Sequence, residues 1–514
     1  MLRSILVFCF IAMQIIASAM SPSEISVAGV IPKPVSVSQS TGNFTLSEKS
    51  AIFIDGKNDE VVQIGKFLAE KLSPATGFRL PVKTFKDNRS AGNIYLSLSS
   101  ADNQLGDEGY QLEITDGILS ITANKPAGLF HGIQTIRQML PAKIEMDTKQ
   151  EGPWEISAVI IRDYPEYSYR GAMLDVARHF FKMEDVMRCI DLMANYKMNV
   201  MHLHLTDDQG WRIQIKKWPK LTKIGGSTKV GGGDGGFYTQ DQYAEIVKYA
   251  ANRYITIIPE VDMPGHTNAA LASYPELNCS KKVTELYTGQ KVGFSSLCTG
   301  NEITYQFLTD VLSELAALTP GPYLHIGGDE SHATKLTDYI PFVNRVQDIV
   351  GSLGKQVIGW DEIALSTLKP NTTVQYWAKA ENALKGVKQG AKVLMSPSAN
   401  AYLDMQYDAN TRLGLHWAGY LDVDKAYNWD PAKLVPGIGR ENILGIEAPL
   451  WTETVTNLQD IEYMVFPRLP GYAEIGWSTP ASRSWDEYKI RLEQQGERFK
   501  ALKINFYQSK LINW

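Results

Sequence analysis

The chain has 514 residues, with 41 Gly, 24 Pro, 44% apolar and 21% charged side chains. That composition excludes a disordered, collagenous or disulfide-scaffold protein and is enough for two or more cores. Its 51 Lys and Arg against 56 Asp and Glu leave a net charge of −5 with no basic block, so nothing points to nucleic acid or an anionic membrane as a partner.

In chain order, a targeting segment comes first. Arg3 precedes an apolar run, Ile5 to Ile16, and Ala17-Ser18-Ala19 places small residues at −3 and −1. The run is too short to span a bilayer, so residues 1–19 read as a secretory signal, with an uncleaved anchor as the alternative. No later stretch approaches ~20 unbroken apolar residues, so no membrane contact is expected after cleavage. The expected destination is the periplasm or the extracellular space, or the lysosome in a eukaryote. The sequons at Asn43, Asn88, Asn278 and Asn371 are near chance frequency.

Residues 20–155 read as a small non-catalytic α/β domain. Strands are expected at 51–54 and 93–98, with a hairpin of 110–114 and 118–122 turning at Asp116-Gly117. Helical periodicity covers 60–72 and 127–140. The polar stretch 143–153 marks the boundary, with residues 154–165 expected to link to the next domain.

Residues 156–514 change rhythm to strand, loop, helix. Strands are expected at 171–176, 200–205, 255–261, 323–326, 356–360, 373–377, 392–396 and 443–448, with helices at 183–197, 240–252, 304–318 and 338–353. Eight short apolar strands with helices between them predict a (β/α)₈ TIM barrel behind the small α/β domain. A doubly wound open sheet is the alternative, but no Gly-rich phosphate loop follows an early strand. Cys189 falls on the apolar face of a helix and reads as buried and free. Cys279 and Cys298 lie in polar loop sequence and are expected to form a disulfide in an oxidising compartment.

Polar residues follow every barrel strand. In order they are Asp175 with Arg178-His179, His202 to Asp208, Glu260 to His266, His325 to Glu330, Trp360-Asp361-Glu362, Trp377, Tyr402 with Asp404, and Trp451-Thr452-Glu453. The strand ends of a barrel form one face, which favours an enzyme over a binding module. Two chemistries compete. His202, His204 and His266 with nearby Asp could hold a divalent ion for hydrolysis. Adjacent carboxylates beside Trp360, Trp377, Trp417 and Trp451 suit sugar cleavage, with aromatic walls against pyranose faces and charged groups on hydroxyls.

The segments Leu174 to Phe180, His202 to Arg212, Pro259 to His266, His325 to Glu330, Gly359 to Glu362 and Leu450 to Glu453 resemble family 20 glycoside hydrolases, the β-N-acetylhexosaminidases. The resemblance covers the barrel, and the small domain resembles the one preceding it in that family. It implies exo-acting, retaining, substrate-assisted catalysis on terminal β-linked GlcNAc and/or GalNAc of oligosaccharides or glycoconjugates, through an oxazoline-type intermediate and without a cofactor or metal. Glu330 would be the acid and base, and Asp329 would orient the acetamido N–H. For these roles Glu330 is expected to have a raised pKa beside an ionised Asp329. Tyr402 would bond the acetamido oxygen, while Trp360, Trp377 and Trp451 would box the methyl and the ring. Arg178, Asp404 and Glu453 would hold hydroxyls. Asp207, in preference to Asp208, and His266 would support Glu330. A catalytically dead carbohydrate-binding barrel is the non-enzyme alternative.

Overall fold

The computed structural model describes residues 27–56, 58–85, 88–98, 102–115 and 117–514. The secretory signal expected at 1–19 and Asp116 of the hairpin turn lie outside the described residues. No described helix is long and apolar enough to cross a membrane.

The first domain is a seven-stranded mixed sheet. Its strands are β1 (Ser36–Thr45), β2 (Ile52–Asp55), β3 (Val82–Phe85), β4 (Ile94–Leu98), β5 (Tyr110–Thr115), β6 (Ile118–Ala123) and β7 (Glu155–Asp163), in the order β1-β7-β5-β6-β4-β2-β3. The expected hairpin is the antiparallel β5–β6 pair. The helix Asp59–Thr76 starts where the Asn58 side chain accepts the N–H groups of Glu60 and Val61, and it ends at Gly77 with φ 71°. The helix Pro126–Met139 is buried almost throughout because it has the sheet on one side and the barrel on the other. A Cβ on Gly132 would meet Ile121 of β6 at 2.7 Å, and Phe130 packs on Tyr254 of the barrel.

The expected boundary at 155/156 needs correction. β7 pairs with β1 and β5 inside the first sheet, so the chain crosses between domains at residues 164–168. The polar stretch before it belongs to the first domain as well, where Glu145 receives Arg137 and also Arg498 of the last helix, at 2.8 Å for the latter. The two bodies are joined by buried polar contacts. Lys197 Nζ donates to Asp163 Oδ2 (2.8 Å) and Tyr110 Oη (3.0 Å), and Trp477 Nε1 donates to Asp163 Oδ1 (2.8 Å). Removing either partner of that ion pair would leave the other buried and unpaired at the contact between the two bodies.

The second domain is a closed parallel barrel. Its strands are β8 (Tyr169–Asp175), β9 (Val200–His204), β12 (Thr256–Glu260), β13 (Tyr323–His325), β14 (Gln356–Trp360), β15 (Thr373–Tyr376), β16 (Lys392–Met395) and β17 (Ile443–Leu450), with β17 closing on β8. A two-residue pair, β10 (Thr206–Asp207) and β11 (Gly210–Trp211), hangs from the end of β9. Tyr169, Val200, Ile258, Ile358 and Leu394 form a small separate apolar cluster, whereas the middle of the barrel is polar. His202, Glu260, His325, Gln375 and Glu447 are all at most 1% exposed there.

Cys279 and Cys298 are bonded, with Cα atoms 4.7 Å apart, in the loop before the helix Glu302–Leu318. Cys189 is free, and burial pushes its thiol up to about 12.

Candidate active site

The site is built on that polar interior. Because side chains alternate along a strand, His202 and His204 of β9 point the same way. His204 joins Glu260 of β12 to Asp207 of β10, the latter at 2.9 Å. Trp360 Nε1 donates to Glu260 Oε1 (2.8 Å), His325 Nδ1 lies 3.0 Å from the same oxygen, and His202 Nδ1 reaches Glu447 Oε1 at 2.9 Å.

Asp207 sits where this network meets the surface. Its Oδ2 receives Arg178 at 2.8 Å and its Oδ1 lies 3.2 Å from His266 Nδ1, whereas Asp208 is 3.9 Å from His266. The Asp208 carboxylate is occupied instead by the Ser295 hydroxyl and the Asn268 N–H. The other ring nitrogen of His266 lies 3.5 Å from Glu330 and 3.6 Å from Asp329.

The loop after β13 delivers the two adjacent carboxyls. Gly327 has φ 63° and lies against Asp262, whose Oδ1 would be 1.8 Å from a Cβ there, so only glycine fits. Glu330 itself adopts φ 44° and His266 φ 53°. Non-glycine residues in this region cost about 1–3 kcal/mol and cluster at functional sites. The turn separates the environments of the pair, since the Asp329 side chain is 10% exposed and that of Glu330 is 27% exposed.

Both carboxyls open onto a cavity of about 280 Å³ at the C-terminal end of the barrel, lined also by Arg178, Trp377, Tyr402, Asp404, Trp451 and Glu453. Trp377 and Tyr402 are nearly parallel, with ring centres 6.4 Å apart, and the Arg178 guanidinium stands 4.7 Å from the Trp451 ring centre. Trp360 does not line this cavity. Its ring packs behind Trp451 at 5.7 Å and is 1% exposed. Trp417, 56% exposed, lines the mouth with Leu415 and with Gln290 and Val292 from the disulfide-closed loop. Gln290, Val292 and Leu415 carried no sequence signal, because their loops have no periodicity and the residues are not reactive types. Glu260 and Asp262 stood within a quoted motif, but only the barrel shows that Glu260 gathers three histidines and Trp360.

The electrostatics of the site run opposite to the expectation for Asp329 and Glu330. Burial, then repulsion from Asp262, holds the Asp329 carboxyl well above its ordinary range. Burial also pushes Glu330 up, but the hydrogen bond and charge of His266, helped by Arg178, outweigh it and leave Glu330 below its ordinary range. The reason is position: both lie about equally far from His266, but Glu330 is nearer solvent, while Asp329 lies deeper and against Asp262. Asp207 is lowered because Arg178 and His266 overcome burial, and His266 is raised well above its usual value by Asp207 and Asp329 against burial.

Among the described residues, four groups bring possible ligand atoms within 4.8 Å of one another: His202 with Glu260 and His325, His204 with Asp207 and Asp262, Asp207 with Asp208 and His266, and Asp262 with His266 and Asp329. A metal, however, needs an imidazole lone pair. Both nitrogens of His202 face carboxylates, Glu447 at 2.9 Å and Glu260 at 3.0 Å, and both nitrogens of His204 face Glu260 and Asp207. His266 likewise faces Asp207 with one nitrogen and Asp329 and Glu330 with the other. Rings set between carboxylates favour the doubly protonated form, while the Nδ1 lone pair of His325 already accepts the Gly327 N–H. Burial lowers the pKa of His202, but Glu447 and Glu260 outweigh it and bring it up to about 9. Exhaustive chelation is therefore expected to leave activity unchanged. Loss of activity that zinc restores would reinstate the metal reading.

A barrel whose strand ends bring a carboxyl pair, a guanidinium and aromatic walls to one cavity has the equipment of a glycoside hydrolase. The profile of the catalytic domain of glycosyl hydrolase family 20 matches residues 167–339 and 331–480, and that of the family's domain 2 matches residues 27–164. The chain belongs to this family, the β-N-acetylhexosaminidases. It is 40% identical over 489 residues to a β-N-acetylhexosaminidase of Cellulomonas fimi, covering 94% of this chain and 97% of that one. It superposes on the family 20 β-N-acetylhexosaminidase of Streptomyces coelicolor A3(2) with a TM-score of 0.92 at 48% identity, covering 95% and 99% of the two chains. A mutant Streptomyces plicatus β-hexosaminidase in complex with its product GlcNAc superposes with the same TM-score of 0.92 and 48% identity, covering 95% and 98%.

Proposed function

We propose that the protein is an exported, exo-acting, retaining β-N-acetylhexosaminidase that removes terminal β-linked GlcNAc and/or GalNAc from oligosaccharides or glycoconjugates. One observation carries the reading. Arg178 Nε, Asp329 Oδ1, Asp404 Oδ1 and Glu453 Oε2 are buried without a hydrogen-bond partner among the described residues, and all four side chains line the same cavity. Unpaired buried polar atoms cost about 1–3 kcal/mol each, so they are complements to a ligand. A ring carrying hydroxyls and one N–H, set between Trp377, Tyr402 and Trp451, satisfies them. The disulfide fits an oxidising compartment.

In the first step the oxygen of the sugar's own 2-acetamido group attacks the anomeric carbon as the glycosidic bond breaks. Glu330 gives its proton to the departing oxygen. Asp329 accepts the acetamido N–H, keeps the nucleophile aligned and balances the positive charge of the oxazoline-type intermediate. Water then adds to the anomeric carbon, Glu330 takes its proton, and the acetamido group is released with net retention. His266, held by Asp207, supplies the charge beside Glu330. Arg178, Asp404 and Glu453 grip the hydroxyls of a terminal ring.

The test is a panel of aryl glycosides and natural oligosaccharides. Release of single sugars from the non-reducing end, confined to 2-acetamido substrates, is expected. Comparable cleavage of the 2-hydroxy analogue would overturn the reading.

A further inference from the structure

The segment Trp360-Asp361-Glu362 supplies two carboxyls that this reaction leaves unused. Both lie on the short turn Asp361–Leu365 after β14, and both hold the same tryptophan. Asp361 is fully buried, and its Oδ2 accepts three successive main-chain N–H groups, Trp377 at 3.2 Å, Ala378 at 3.0 Å and Lys379 at 3.0 Å. Its Oδ1 accepts from Asn382 Nδ2 at 2.8 Å. Glu362 Oε2 accepts the indole N–H of Trp377 at 3.0 Å.

The backbone and the ring of Trp377 are thus fixed from one neighbouring turn. Without the indole bond, rotation about its broad χ2 torsion would be opposed by packing alone. Ring orientation matters because Trp377 forms a cavity wall facing Tyr402 and meets Trp417 edge-on at 6.2 Å.

We infer that Glu362, backed by Asp361, is a positioning residue that fixes the Trp377 indole and thereby sets the size of N-acyl group the site accepts. The inference rests on the proposed reading that Trp377 walls the acetamido end of the sugar. Burial, then the charges of Asp361 and Asp329, push the Glu362 carboxyl up to about 8, and glutamine keeps both the shape and an oxygen that can accept the indole N–H.

The experiment compares kcat/KM for aryl glycosides of 2-acetamido, 2-propionamido and 2-butyramido sugars in the wild type, Glu362→Gln, Glu362→Leu, Trp377→Phe and the double variant Glu362→Leu/Trp377→Phe. Glu362→Gln should keep both the rate and the acyl preference. Glu362→Leu should lose about tenfold on the acetamido substrate, as for one buried hydrogen bond, and less on the longer acyl groups. Trp377→Phe removes the same bond from the other side and should shift the preference the same way. The double variant should be no worse than the poorer single variant. An unchanged acyl preference in Glu362→Leu and Trp377→Phe, or strictly additive losses, would overturn the inference while leaving the hexosaminidase reading intact.

A readout independent of substrate separates the two ideas. The near-ultraviolet circular dichroism difference between wild type and Trp377→Phe isolates that indole, and Glu362→Leu should weaken or reshape it whereas Glu362→Gln should preserve it. An unaltered indole signal in Glu362→Leu sinks the positioning role, whatever substrate the enzyme takes.

Discussion

Glu330→Gln should slow the first step for sugar and other poorly activated leaving groups by about 10²–10⁴-fold, the usual worth of general acid–base assistance, and largely spare leaving groups that depart unprotonated. Glutamine keeps the shape of the side chain beside His266 and leaves the acetamido nucleophile untouched. It removes only the proton that the departing oxygen needs. Glu330 lies at the more open side of the pair, and its carboxyl is held below its ordinary range by His266 and Arg178. An aglycone laid over it excludes water, strengthening the burial contribution that already pushes this group up. Pre-steady-state release of the aglycone is the fair measurement, since Glu330 also activates water in the second step. A rate in Glu330→Gln that does not depend on leaving-group acidity would remove Glu330 from the acid role.

Asp329→Asn should instead lose about 10²–10³-fold with every leaving group, because it exchanges an anion for a neutral amide where positive charge develops. Asp329 Oδ1 is buried without a partner among the described residues, and its carboxyl is pushed up by burial and by Asp262. An acetamido N–H arriving at that oxygen supplies the missing hydrogen bond and favours the ionised form. Asparagine cannot reproduce that change of charge. The measurement is the same leaving-group series, read for its intercept rather than its slope. If Asp329→Asn and Glu330→Gln showed the same dependence on leaving-group acidity, the division of roles between them would be wrong.

The legibility of the chain followed from how each part is buried. All eight barrel strands could be read because each is a short segment with apolar residues between polar loops, even though inward positions such as His202, Glu260, Gln375 and Glu447 interrupt the apolar run. β1 and β3, at the two edges of the first sheet, have mostly exposed or half-exposed side chains without clean alternation and left no comparable trace. β7 contains an apolar run, but such a run does not name its partners, so 154–165 reads in the sequence as a link to the barrel rather than as a strand of the first sheet.

At the site, the sequence by itself determined which reactive groups are available and which strand ends carry them, because Asp329-Glu330 and the other motifs are contiguous in the chain. Only the tertiary structure decided that Trp360 packs behind Trp451 while Trp417 reaches the mouth, and that Gln290 and Val292 come from the disulfide-closed loop. It also decided the charge pattern. Whether a carboxyl is raised, like Asp329, or lowered, like Glu330 and Asp207, depends on burial and on cations and anions from other strands. A pKa is set by neighbours in space, and neighbours in space are what a linear order of residues does not contain.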